Sequence, residues 1–213
     1  MSPGRWDDLA EVMGQNGGYS GCWCMFWRLN NQEIHTKTAS DNHAALRQMI
    51  AAGQPIGLLL YRDDQPAGWC QVAPRPEFWR LFHTRGLRLE DPDDLSVWSI
   101  TCVYVARGAR GMGAGRQLVR GAVEYAGQHG ASVIEAYPVV DASKGRRTQL
   151  SSGTVDMFSD AGFTTAAPPT GRRVLMRRQV QLEPGVAEHD AAGDRSRFPA
   201  RAPRNAPGGY AFG

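Results

Sequence analysis

Apolar positions along the chain follow helical spacing in some stretches and alternate in others. "WDDLAEVM", Trp6–Met13, reads as a short helix. "DNHAALRQMIAAG", Asp41–Gly53, starts on acidic and amide residues, carries apolar positions at helical spacing and stops at Gly53, which predicts a second helix. Between them "CWCMFWRL", Cys22–Leu29, is aromatic-rich and predicts a strand with Cys22 and Cys24 on one face and Trp23 on the other. "IGLLLYRDDQPAGWCQVAP", Ile56–Pro74, is two apolar runs joined by "RDDQP", a hairpin pattern. "RPEFWRLFHTRG", Arg75–Gly86, reads as a helix or helical turn, and "DDLSVWSITCVYVA", Asp93–Ala106, as a long strand. Leu118, Val119, Ala122, Val123 and Ala126 share one helical face. "ASVIEAYPVV" predicts a strand, "VDASKGRRTQLSS" a polar loop, "GTVDMFSDAG" a short helix ending at Gly162, and "RRVLMRRQV" a closing strand. The order predicts one mixed α/β domain over residues 1–180. Residues 181–213 lose apolar periodicity to Pro, Gly, Ala, Asp and Arg, which predicts a disordered tail.

Composition narrows this little. At 213 residues and 42% apolar content, the chain has enough for a single core. No apolar run approaches the ~20 residues of a membrane helix, and "MSPGRWDDLAEVMG" has no apolar signal segment. A cytoplasmic protein with no membrane partner is the expectation. The net charge of +3 is too small to argue for nucleic acid. Arginine nonetheless clusters at Arg107–Arg116, at Arg146 and Arg147, and at Arg172–Arg178, which raises local anion binding. The four cysteines read as reduced, packed thiols, and the five histidines complete no zinc spacing, so no metal is expected. Trp23, Phe26, Trp27, Trp69, Trp79, Phe82 and Trp98 gather in the first half; each packs the core or lines an aromatic pocket suited to a hydrophobic or cationic amine.

"VYVARGARGMGAGRQL", Val103–Leu118, concentrates four glycines and three arginines between an apolar strand and an amphipathic helix. Unpaired amides at a helix N-terminus attract phosphate, and glycine lets a ligand approach the backbone. A Walker loop is excluded because no Gly-Lys-Ser/Thr follows. A dinucleotide fingerprint finds Gly111 and Gly113, but Arg116 stands where a third glycine belongs, with Glu135 as the downstream acid. A coenzyme A site is the third reading.

"RGMGAG", Arg110–Gly115, matches the Arg/Gln-x-x-Gly-x-Gly/Ala motif of the GNAT superfamily of N-acetyltransferases, and "MFSDAGF" resembles its "FYEKLGF" segment. The likeness runs from about Trp6 to Val180, and "CWC-x-x-x-R" with "GWC-x-x-AP" resembles an uncharacterised bacterial subgroup. It implies a mixed, mostly antiparallel central sheet flanked by helices. It also implies acetyl-CoA as co-substrate, an amine of a small molecule or protein as acceptor, and direct attack on the thioester. A homodimer is compatible with it. The pyrophosphate would lie on the amides of Gly111, Met112, Gly113, Ala114, Gly115 and Arg116, with Arg110 beside them, and the pantetheine arm along Val103, Tyr104 and Val105. Some members carry a glutamate on the strand after the glycine-loop helix; Glu135 occupies that position as candidate general base, acting through water. The family's acidic tyrosine is replaced by Phe158, which has no hydroxyl, and Tyr137 is the candidate substitute. That departure keeps a non-catalytic acyl-CoA-binding module in view, and a dinucleotide-binding oxidoreductase stands behind it.

Overall fold

The computed structural model describes residues 1–87, 89–140, 152–167, 169 and 171–180. The expected tail 181–213, Arg146 and Arg147, and most of the expected polar loop lie outside the described residues.

The predicted helices form as α1 (Trp6–Met13), α3 (Ala39–Ala51) and α5 (Ala114–Gln128), with the single turns α2 (Glu33–Thr36), α4 (Trp79–Phe82) and α6 (Val155–Ser159). α3 starts at a capping box. The Thr38 hydroxyl accepts from the Asp41 amide (3.2 Å), and the Asp41 carboxylate accepts from the Thr38 amide (2.7 Å). Thr38→Ala is expected to lower stability by about 1 kcal/mol, seen as a lower denaturant midpoint at constant m value.

Six strands, β1 (Gly57–Arg62), β2 (Gln65–Pro74), β3 (Val97–Val105), β4 (Val133–Ala136), β5 (Thr164–Ala167) and β6 (Leu175–Gln179), make one sheet in the order β1-β2-β3-β4-β6-β5. Every pairing is antiparallel except β3 with β4, so the sheet is mixed and mostly antiparallel, as expected. The β1–β2 turn puts Asp63 and Asp64 both at positive φ (49° and 60°), which matches the twist of a tight hairpin.

Helices cover both faces. On one, Leu118, Val119 and Ala122 of α5 pack on Val72, Ile100, Ile134 and Met176. On the other, Leu9 and Val12 of α1 and Leu46 and Ile50 of α3 pack on Trp69 and Cys102. The apolar face read for α5 is buried throughout.

"CWCMFWRL" is not a strand. It is a run of turns in which Trp23 (φ 41°) and Cys24 (φ 56°) are left-handed, so the expected alternation of Cys22 and Cys24 about Trp23 does not hold. Its apolar residues are spaced for a coil lying on α1 and α3: Trp23 stacks with Trp6 (5.9 Å) and meets the His43 ring edge-on (4.7 Å). The apolar pattern also missed α2 and β5. α2 is one turn long, and β5 is exposed along its whole length at the sheet edge, so neither leaves a period to read.

Candidate active site

β3 and β4 run in parallel register only from Val97↔Val133 to Ile100↔Ala136. The chain after Ala136 then stays with the segment that leads into β6: Val174 N–H donates to Pro138 O (3.1 Å) and Val140 N–H to Arg172 O (3.0 Å). Among the described residues no ladder pair joins it to β3 beyond Ile100, so the sheet opens there into a wedge. Val103, Tyr104 and Val105 form one wall, with their other edge paired to Cys70, Trp69 and Gly68 of β2. A bulge sits at the apex. Val72 pairs with Ile100 and Gln71 with Cys102, which leaves Thr101 opposite no residue of β2 or β4. Sequence reasoning missed Thr101, because nothing in an apolar run marks an unpaired residue.

The glycine stretch follows. Arg110 Nε donates to Val105 O (3.1 Å) and ties the loop to the end of β3. Gly111 (φ 77°) and Gly113 (φ 78°) take left-handed backbone, and the space where a side chain would stand is open at both, with no heavy atom within 4 Å. Met112 is exposed, Ala114 is buried, and Gly115 packs close under Met157. Gly113 is the N-cap of α5. It offers no side-chain acceptor, and the first turn contains no acidic residue. The first amides of α5 therefore lack the partners that α3 has, and a partial positive charge gathers there. The motif residues are thus together at one mouth of the wedge. Arg116 is paired through Nε with Asp160 Oδ2 (2.5 Å).

Glu135 and Tyr137 lie on the sheet face away from α5, in a buried polar network. The Glu135 carboxylate accepts from Arg75 Nη1 at both oxygens (3.2 Å each), from Arg177 Nη2 (2.7 Å) and Nε (3.1 Å), and from the Tyr137 hydroxyl (2.7 Å). It has no exposed surface. The Tyr137 phenol is pushed well up by burial first and then by the Glu135 charge. It therefore keeps its proton and donates a hydrogen bond to Glu135, so Ser99 Oγ, 2.8 Å away, is the donor to Tyr137. Both residues expected to act in catalysis are thus held by these internal partners. A general base must reach the proton it removes, and among the described residues Glu135 meets arginine and tyrosine donors. Arg75 also donates through Nη2 to Glu90 O (2.5 Å) and Asp91 O (2.7 Å), which ties that loop to the sheet centre.

The C-terminal arginine cluster is largely internal: Arg177 serves Glu135, Arg173 donates to Tyr137 O (2.7 Å), and Arg178 donates to Ala161 O. The aromatic residues do not line one pocket either. Trp98 lies on the α5 face and Trp69 on the opposite one. Phe158 is fully buried on the α5 face, edge-on to Phe163. Several rings on the other side are covered by the chain's own guanidinium groups: Arg28 over Phe78, Arg80 over Phe26 and Arg173 over Trp27. A groove of about 910 Å³ between α5, α6 and β6 is lined by Arg120, Glu124, Asp160 and Arg178; none of the motif residues borders it.

Residues 24–146 match the Acetyltransferase (GNAT) family, and the chain belongs to it. A solved acetyltransferase structure superposes with a TM-score of 0.52 at 14% identity over 84% of this chain and 97% of the other, a shared fold. Two others cover the same 84% of this chain. The ribosomal-protein-alanine N-acetyltransferase of Brucella melitensis has 18% identity, TM-score 0.47 and 96% of its own length covered. The PaiA N-acetyltransferase of Thermoplasma acidophilum in complex with coenzyme A has 14% identity, TM-score 0.47 and 95% covered. No curated protein matches the chain. Among the described residues no helix is long and apolar enough to cross a membrane.

Proposed function

We propose that the protein is an acetyl-CoA-dependent N-acetyltransferase that moves an acetyl group from the thioester to an amine by direct attack. The observation that carries this reading is the uncapped N-terminus of the 15-residue α5, reached through two left-handed glycines at the mouth of the β3–β4 wedge. The residues fit a coenzyme A thioester. The open space at Gly111 and Gly113 admits phosphate, and the amides from Gly113 to Arg116 hold it with help from the helix dipole. Val103–Val105 present to the amide-bearing pantetheine arm a strand edge that no strand among the described residues pairs. Thr101 stands opposite no residue of β2 or β4 at the apex, and we assign its backbone to the thioester carbonyl, whose developing oxyanion an N–H there would stabilise.

The chain's part in the chemistry is to hold amine and thioester together. The amine nitrogen forms the new C–N bond, the C–S bond breaks, and the ammonium proton leaves as the thiolate gains one. Glu135 and Tyr137 are engaged with each other and with arginine, so we assign both proton steps to solvent entering the wedge and to the amine itself. The network then keeps β4 and β6 in place behind the site.

A second reading, a non-catalytic acyl-CoA-binding module, is favoured by Phe158, which is buried in the core where the family carries a tyrosine. Thermal unfolding with acetyl-CoA, coenzyme A and NADH tests the ligand. Acetyl-CoA at ~100-fold over its Kd is expected to add about 2.7 kcal/mol. A shift with NADH alone would overturn both readings, whereas a shift with acetyl-CoA and no thiol release across an amine panel would select the binding module.

A further inference from the structure

The sheet face opposite α5 holds buried donors that no group among the described residues satisfies. Arg28 donates through Nη1 to Glu77 Oε2 (2.9 Å); its Nε and Nη2 have no partner, although its side chain is only 6% exposed. Gln71 has no exposed surface. Its Oε1 accepts from Thr101 Oγ1 (2.8 Å), and its Nε2 has no partner. A buried unpaired donor costs about 1–3 kcal/mol, so several on one face call for a hydrogen-bond acceptor from outside the chain.

The two side chains belong to one locality. Cys24 lies within reach of the Arg28 charge and packs in one cluster with Cys102, and Cys102 is the cross-strand partner of Gln71. On its other side, Arg28 stacks on Phe78 (4.8 Å). Phe78 shares a packed cluster with Ala73, two residues along β2 from Gln71. Gln71 thus stands at the bulge of Thr101, where the acyl carbon would sit, and Arg28 on the same face of the sheet, beyond Cys24 and Cys102. The charge has the matching sign: Arg28, Arg75, Arg173 and Arg177 face Glu77 and Glu135. The aromatic faces are taken by arginines, which disfavours the cationic or purely apolar amine expected from tryptophan content.

We infer that the substrate bound on this face carries a carboxylate, held by Nε and Nη2 of Arg28 and by Nε2 of Gln71. The inference rests on the acetyl transfer proposed above. The Nε–Nη2 edge of a guanidinium presents two parallel N–H groups, which fit the two oxygens of a carboxylate. The doubly charged phosphate would meet Glu77 at the same guanidinium. The carboxylate enters on the acceptor, as in an amino acid or a chain end, or on the acyl group, as in a succinyl thioester.

The test pairs substrates that differ in the carboxylate. With acetyl-CoA, phenylalanine is compared with phenethylamine; with phenethylamine as acceptor, succinyl-CoA is compared with butyryl-CoA. Coenzyme A release is the readout. A third measurement needs no turnover: thermal unfolding with N-acetylphenylalanine and N-succinylphenethylamine, each against N-acetylphenethylamine. The carboxylate-bearing member of one pair is expected to be preferred about tenfold or more in kcat/KM and to stabilise the fold. Both effects should collapse in Arg28→Lys and in Gln71→Met, with native circular dichroism as the control; Gln71→Met carries the test if Arg28→Lys does not fold. Equal use and equal stabilisation within every pair, or a preference kept in the folded variants, overturns the carboxylate. Transfer to both amines alike, with equal use of both thioesters, removes the carboxylate and leaves acetyl transfer standing. Carboxylate-dependent stabilisation lost in the variants, with no transfer to any amine, does the reverse.

Discussion

Gly113→Val is expected to weaken acetyl-CoA binding about 100-fold or more, roughly 2.7 kcal/mol, in a calorimetric titration. Two effects add at this position. The backbone is left-handed (φ 78°), which a β-branched side chain tolerates poorly, so the loop shifts its amides. The new side chain also fills the open space into which phosphate would come. Gly130 separates the two effects. It is equally left-handed (φ 83°) and equally open, but it lies past the other end of α5. Gly130→Val should lose a similar 1–2 kcal/mol of stability and keep its acetyl-CoA affinity. Wild-type affinity in Gly113→Val would sink the assignment of this loop to the cofactor. An equal loss in both variants would mean that the affinity reports backbone strain alone.

The two variants also show what was legible beforehand. Gly111 and Gly113 could be read because a motif with a fixed spacing between a strand and an amphipathic helix is a local feature, and the chain keeps it local. α3, α5 and the β1–β2 hairpin were readable for the same reason: period, cap and turn residues lie within a few positions of one another. The wedge was not. It exists because β4 leaves β3 after Ala136 while keeping β6, a matter of register between segments far apart in sequence. The polar network fails the same way. Arg75, Ser99, Glu135, Tyr137 and Arg177 stand on three strands, one turn and the segment just after β4, and no spacing along the chain foretells that they meet. The arginine run at Arg172–Arg178 was visible as charge, but charge alone does not say whether its partner is a ligand or a buried glutamate. "CWCMFWRL" misled because burial, not extension, selects its apolar residues.

That network makes Glu135→Gln the substitution with the largest expected cost in stability. It removes the counter-charge of Arg75, whose side chain is 2% exposed, while Arg177, at 37%, can turn to solvent. Breaking a buried pair from one side costs about 3–5 kcal/mol, or roughly 6–20 °C in Tm for a chain of this size. Replacing both partners, as in Arg75→Met with Glu135→Met, should recover much of the loss, because no uncompensated charge then remains. The pair of variants also decides the catalytic question. A general base contributes about 10²–10⁴-fold to rate and leaves a limb in the pH–rate profile. A buried glutamate that holds β4 to β6 contributes neither directly. Assayed below its Tm, Glu135→Gln should therefore retain the shape of the pH–rate profile, whatever its turnover. Loss of the acidic limb in a folded Glu135→Gln would return the proton to Glu135 and require the network to open during the reaction.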